Sequence, residues 1–347
     1  MKISLQPIPS VEIVHYCSSD LMVVSHANRV HVDYAGERRT CLLPQLGWKR
    51  ICLPFRLARR AFRVDKCNVT PVFDNGVFES LVIIRQGCIY HWEYATSVLT
   101  MVRNLRHCQN VLHQSICTTP SGNLFFGEYG NNGGRAAVPV YGSYDRGRSW
   151  QIVHEFPSNT VKHLHGCYWD PYEERIWICS GDFEGENFLI RTDEKFSEIR
   201  TFGDGSQSWR TCCPFFLPEH IVWGMDSQLE TSSLCVFDRK THQLCRTQVF
   251  PGPVWYGKRL EDGGYLLATA NEIGPGVHDD SAYVFFSPDA FQWEEVFRVR
   301  HDRWPKRYFK FGVLAFADGP QTRDNFAMFT EALSGMDGRA YQCSLIS

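Results

Sequence analysis

Five acids stand just past strongly apolar runs. Glu128 follows Leu124-Phe125-Phe126-Gly127, and Asp182 follows Ile176-Trp177-Ile178-Cys179-Ser180-Gly181. Asp226 follows Ile221-Val222-Trp223-Gly224-Met225, Glu272 follows Leu266-Leu267-Ala268-Thr269-Ala270-Asn271, and Glu331 follows Phe326-Ala327-Met328-Phe329-Thr330. His113, His165, Arg210 and Tyr256 precede the first four by 15–17 residues, and Lys310 precedes Glu331 by 21. A carboxylate can serve as general acid, base or nucleophile, and an imidazole or phenol can move a proton. A guanidinium can grip a substrate carboxylate through two parallel hydrogen bonds. These residue types, set against apolar strand flanks, point to acid–base chemistry on an anionic substrate. The catalytic candidates are Glu128, Asp182, His165 and Tyr256.

Local patterns add binding candidates. Glu128-Tyr129-Gly130-Asn131-Asn132-Gly133-Gly134-Arg135 is a glycine- and amide-rich loop of the kind that suits sugar hydroxyls, with Tyr129 and Asn131 as contacts. Gln207-Ser208-Trp209-Arg210 offers an amide, an aromatic platform and a guanidinium. The bland reading of Trp209 is ordinary packing between sheets. His113, Asp226, Glu272 and Lys310 complete the binding set. His163-Leu164-His165 puts both imidazoles on one face of a strand. Such a pair can hold a divalent metal only with ligands from elsewhere, such as Glu128 or Asp182. No cofactor is otherwise expected.

These residues need a scaffold that brings strand ends together. Ser143-Tyr144-Asp145-Arg146-Gly147-Arg148-Ser149-Trp150 reads S-x-D-x-G-x-S-W between two strand-like runs. Asp145 can accept from turn amides, Gly147 can take positive φ, and Trp150 can plug the turn. Comparable turn aspartates recur as Asp193, Asp238 and Asp289, at gaps of 48, 45 and 51 residues. The last sits in Ser287-Pro288-Asp289-Ala290-Phe291-Gln292-Trp293, one residue short and without its glycine. A repeat of this length with four short strands is a propeller blade.

Blades are expected over about 10–44, 64–107, 112–156, 160–203, 207–250, 253–299 and 307–346. Seven is the count and six the alternative, because the first 110 residues are the least regular. The last unit shows three clear strands, and Ile3-Ser4-Leu5-Gln6 could supply the fourth, closing the ring at the termini. Phe55–Arg63 is the one helix-tolerant stretch, a connector. The whole chain, 1–347, reads as a single all-β propeller domain. Within each blade the start of the first strand and the end of the second lie at one end, so the acids and their His, Arg and Tyr partners converge on one mouth.

Hydrophobic residues make up 44% of the chain and aromatics 14%, enough for a large core, with a net charge of −2. That balance excludes nucleic acid and an anionic membrane as expected partners. No apolar run approaches a membrane span and the N-terminus lacks a signal core, so a cytoplasmic location is expected for the chain as given. Fourteen scattered cysteines without a C-x-x-C pair read as buried thiols. Asn68-Val69-Thr70 fits a glycosylation sequon.

From Leu112 onward the chain resembles BNR/Asp-box proteins of the sialidase-like superfamily. The resemblance rests on the Asp-box at Ser143–Trp150, with His163-Leu164-His165-Gly166, Trp169-Asp170-Pro171-Tyr172, Ser180-Gly181-Asp182 and Gln207-Ser208-Trp209-Arg210. It implies a propeller fold and, commonly in that superfamily, a glycosidase acting on acidic sugars. True sialidases are six-bladed and use three arginines, a Tyr/Glu nucleophile pair and an aspartate acid. Here Arg210 is accompanied only by Arg60 or Arg63, so that triad is not carried over. The first expectation is therefore a glycoside hydrolase for an acidic oligo- or polysaccharide, with Glu128 and Asp182 as its carboxylate pair. The alternatives are a uronate-directed polysaccharide lyase working through His165 or Tyr256, and a non-catalytic propeller that binds a glycan or protein.

Overall fold

The computed structural model describes residues 1–44 and 47–346. The fold is an all-β, seven-bladed propeller: seven antiparallel sheets of four strands each, with strands in chain order within six of them. The first blade is built from Ile13–Cys17, Leu21–His26, Arg29–Tyr34 and Glu37–Leu42. The seventh uses Val313–Phe316, Phe326–Glu331 and Arg339–Ile346, and Lys2–Ile8 pairs antiparallel with Arg339–Ile346 to complete it. The expected seven blades and the pairing of the two termini are both present, and the six-blade alternative is excluded.

Burial within a blade runs from the second strand outward. Leu124–Gly127 and Tyr265–Thr269 are buried along their whole length. The fourth strands Gln151–Phe156, Leu244–Val249 and Glu294–Arg300 are largely exposed. This explains why the second strands read as continuous apolar runs, covered on both faces, and the fourth strands as mixed ones.

The chain packs as two compact units. One comprises residues 1–66, 228–232 and 248–347 and carries the first, sixth and seventh blades; the other comprises residues 67–227 and 233–247 and carries the second to fifth. The three-blade unit packs around Leu266, Val284, Leu314, Phe316, Phe326 and Met328. The four-blade unit has separate apolar clusters, one around Val82, Phe126, Tyr141 and Trp150 and another around Trp177, Trp209, Trp223 and Phe237. The helix-tolerant stretch forms a short α-helix, Arg56–Ala61, preceded by a 3-10 helix at Gly47–Cys52.

The recurring aspartates occupy the same turn, between third and fourth strands. Asp145 accepts from the Ser149 amide at 2.8 Å and the Ser149 hydroxyl at 2.6 Å, while Ser143 Oγ donates to it and accepts from the Gly147 amide. Gly147 has φ +84°, and a Cβ there would meet Val82 Cγ2 at 2.3 Å. Trp150 is buried and donates its indole N–H to Gly147 O at 3.1 Å. The degenerate copy keeps the serine and indole bonds, with Ser287 Oγ donating to Asp289 and accepting from the Ala290 amide and Trp293 donating to Ala290 O; Asp289 instead accepts from the Phe291 and Gln292 amides, and Ala290 takes φ +72° where a glycine would be easier.

No disulfide joins any of the fourteen cysteines, and only Cys88 and Cys245 are not buried. The sequon asparagine, Asn68, lies buried in a strand and donates to Leu112 O at 2.7 Å, so the folded chain does not present it for glycosylation.

Candidate functional site

The four-blade unit gathers most of the chemistry around one carboxylate. Asp182 lies just beyond the strand Arg175–Ser180. Its loop is held from below: Gly181 takes φ +141°, and a Cβ there would sit 1.9 Å from Asn187 Oδ1. Asn187 Oδ1 accepts from the Asp182 amide at 3.2 Å, and its Nδ2 donates to Phe183 O at 2.7 Å and Gly205 O at 3.0 Å. The Phe183 amide donates to Glu186 Oε1 at 3.1 Å. Side chains on this fixed turn are therefore aimed, not free.

Four basic groups converge on the Asp182 carboxylate. Arg210 Nη2 lies 2.9 Å from Oδ1, and Lys162 Nζ donates to Oδ2. His163 Nε2 and His165 Nε2 each lie 3.3 Å from the same Oδ1. Burial alone would raise the Asp182 pKa, but the two imidazoles and the Arg210 charge outweigh it and hold the carboxyl far below its usual range. Burial lowers the His163 pKa, against the pull of Asp182. Behind this layer, Arg210 Nε lies 3.4 Å from Asp226 Oδ2, and Cys212 Sγ donates to that oxygen at 3.1 Å. Gln207 Nε2 donates to Asp182 O at 3.2 Å and its Oε1 accepts from Ser227 Oγ at 2.8 Å.

The two imidazoles reach this point by a route that strand alternation does not describe. His163 lies before the strand Leu164–Asp170, whose pairing slips between Leu164 and Gly166, leaving His165 as the extra residue of a bulge. The same slip places His15 and Trp255 in bulges of the first strands of the first and sixth blades. A bulge re-aims a side chain, and here it turns His165 toward Asp182. Tyr129 covers His163, ring centroids 4.3 Å apart, and Asn131, two residues on in the chain, is exposed.

Glu128 sits at the equivalent strand end one blade earlier, with different partners. Its carboxylate accepts from the Arg106 amide at 2.6 Å, the His107 amide at 3.0 Å and the Tyr141 hydroxyl at 2.9 Å. Burial and then the Glu128 charge push the Tyr141 phenol pKa up, so the hydroxyl stays a donor. Glu128 is thus engaged in anchoring the 105–108 loop. Trp209, the expected sugar platform, is 7% exposed and packs against Trp223 and Phe237, so its bulk belongs to the core. His113 lies in the segment before Cys117–Thr118 and is partly exposed.

Three expected site residues belong to the three-blade unit. Tyr256 is buried in Val254–Arg259 within that unit's apolar cluster. Glu272 is buried and accepts from Trp255 Nε1 at 2.8 Å. Lys310 Nζ pairs with Glu331 at 2.6 Å. Burial alone would raise the Glu331 pKa, but Lys310 and Arg56 bring it down to about 2. Sequence reasoning did not single out Lys162, Cys212, Phe183 or Arg135. Lys162 stands directly before the His-x-His pair, which was the available signal.

Two overlapping sets among the described residues have the spacing of metal ligands: His163, His165 and Asp182, and His165, Cys212 and Asp226, with ligand atoms in each set within 4.8 Å of one another. No helix among the described residues is long and apolar enough to cross a membrane.

No protein-family model matches this chain, and no curated protein matches it. Solved structures do. A chain of the mitotic checkpoint complex superposes with TM-score 0.57 at 12% identity, over 99% of this chain and 93% of that one. YCF48 bound to D1 peptide gives 0.56 at 9% identity, over 100% and 98%. The extracellular domain of a one-component system from B. thetaiotaomicron gives 0.58 at 11% identity, over 100% of this chain but 40% of that one. At these identities the likeness is one of fold alone.

Proposed function

We propose that this propeller recognises an acidic saccharide at the surface beside Asp182, as a binding protein. The carrying observation is Phe183. Its ring is 47% exposed, on a turn fixed by Asn187 and Glu186, with Lys162 Nζ 5.2 Å and the Arg135 guanidinium 5.3 Å from its centroid. A half-exposed aromatic ring with two cations over it suits a sugar ring that carries a carboxylate. Tyr129 lies on the neighbouring loop over His163, and Asn131 is exposed two residues further along that loop. The Asp-box turns support a place among Asp-box propellers without adding chemistry.

Binding is favoured over hydrolysis by the state of the two candidate carboxylates. Glycoside hydrolysis needs a free pair, roughly 5 Å apart for retention or 6.5–9.5 Å for inversion. Glu128 has three donors on it, and Asp182 is surrounded by cations that favour its ionised form over a general acid. One observation favours a second reading, a uronate lyase: Arg210 and His165 share Asp182, the arrangement that would neutralise a carboxylate beside a proton acceptor.

The test is titration of uronate- and sialate-containing oligosaccharides with product analysis on the same mixtures. Binding without turnover is expected. Turnover that disappears in Asp182→Asn would replace the binding reading by an enzymatic one, and an unsaturated uronate among the products would identify the lyase. No binding to any acidic saccharide would end the proposal.

A further inference from the structure

We propose that His163 Nε2, His165 Nε2 and Asp182 Oδ1 form a zinc-type divalent metal site, whose fourth position takes a carboxylate oxygen of the acidic ligand. The argument begins with the tautomers. His163 Nδ1 faces Gly130 O at 2.9 Å, and His165 Nδ1 faces Thr211 O at 3.0 Å. A carbonyl can only accept, so each Nδ1 carries the hydrogen and, in the neutral ring, each Nε2 presents its lone pair. A backbone carbonyl on Nδ1 is also the support that metal-ligating histidines use to fix ring and tautomer.

Both lone pairs then point at one carboxylate oxygen, and each lies 3.3 Å from it. With both rings neutral, three electron-pair donors face one another, and a proton or a metal ion must lie among them. The spacing fits the metal ion: a tetrahedral site with bonds of about 2.0 Å has ligand–ligand edges of about 3.3 Å. His163 Nε2 is fully buried and makes no hydrogen bond of acceptable geometry. A buried acceptor in that state needs a partner. Two imidazole nitrogens and one carboxylate oxygen form the donor set of a zinc site with an open position.

The overlapping set of His165, Cys212 and Asp226 is less suited. Burial raises the Cys212 thiol well above its ordinary pKa, so sulfur keeps its proton and donates it to Asp226.

Charge says what the open position accepts. Lys162 and Arg210 balance Asp182 and Asp226 before any dication arrives. Arg210 Nη2 stays on Asp182 Oδ1, which has two lone pairs and can serve both. The Lys162 side chain is partly exposed and can swing into water. A dication therefore brings surplus positive charge, and an anionic fourth ligand offsets it. That last step rests on the acidic-saccharide reading; the three protein ligands do not.

The test uses chelator-stripped protein, Co²⁺ and Zn²⁺ alone, and no saccharide. One equivalent of Co²⁺ should bind with the visible absorption of a tetrahedral ion, and Zn²⁺ should displace it. Zn²⁺ should also shift the Nε2 resonances of His163 and His165 in ¹⁵N-labelled wild type, a readout that needs no variant to fold. His163→Gln and His165→Gln should each lose at least tenfold in affinity, whereas Lys162→Ala should bind at least as tightly as wild type. No uptake of either ion, unshifted Nε2 resonances, or affinity unchanged in both folded histidine variants would overturn the site. Metal uptake with no saccharide binding would refute the ligand reading alone, and saccharide binding with no metal uptake would refute this site alone.

Discussion

Glu128 and Asp182 stand at the same place in consecutive blades, just past a buried second strand, and they have been put to opposite uses. Glu128 is bound by two backbone amides and a buried phenol, groups that belong to the framework. Asp182 is surrounded by Lys162, His163, His165 and Arg210, all side chains, and remains partly exposed. An acid whose donors are backbone holds a loop in place. An acid whose partners are side chains forms a site, because it gathers Lys162, His163, His165 and Arg210 at one partly exposed point where a ligand can meet them. The identity of the partners, and not the position in the repeat, separates anchor from function.

Four outcomes would sharpen or break that contrast. The largest effect is expected at the anchor. Glu128→Ala removes the acceptor of two backbone amides and of the buried Tyr141 hydroxyl and should cost about 3 kcal/mol of stability. Urea denaturation measures it, and saccharide affinity of the folded fraction should be unchanged. Next, Asp182→Asn should cost less, about 2 kcal/mol, because Arg210 keeps Asp226 and the Asp182 carbonyl and Lys162 can turn to water, yet saccharide affinity should fall at least tenfold. Equal stability losses in these two variants would remove the distinction.

The third outcome concerns pH. The folded Asp182 carboxyl lies far below its ordinary value of 3.8. A depressed folded pKa contributes stability that is complete above the unfolded value and is lost as pH falls through the folded one. Wild type should therefore lose stability below about pH 4 more steeply than Asp182→Asn does, as thermal melts across that range would show. An identical acid limb in the two proteins would contradict the assigned environment. The smallest effect is expected in the turn at Asp145: Asp145→Ala should cost about 1 kcal/mol and leave ligand affinity untouched.

The contrast also marks what the sequence discloses. The turns at Asp145, Asp193, Asp238 and Asp289 were legible because a tight turn is satisfied by residues within five positions of itself. The seven-blade count and the terminal pairing were legible because strands must alternate apolar runs with turns and an unpaired edge must be covered. The acids after apolar runs were visible too, but their roles were not. Whether Glu128 meets backbone amides depends on the fold of residues 105–108, some twenty positions away, which leaves no local signature. The bulge that turns His165 is a backbone choice that no residue type announces. Trp209 looked like a platform in sequence because nothing local tells an aromatic that it will be enclosed by Trp223 and Phe237. Lys162 and Phe183 went unnoticed because each matters only beside Asp182.

The most direct test of the central claim is calorimetric titration of a galacturonic acid trisaccharide into wild type, Asp145→Ala and Asp182→Asn, each verified as folded. Saturable binding should appear in wild type, persist at equal affinity in Asp145→Ala and weaken at least tenfold in Asp182→Asn. Affinity in Asp182→Asn equal to that of wild type would show that the Asp182 cluster is not the ligand site.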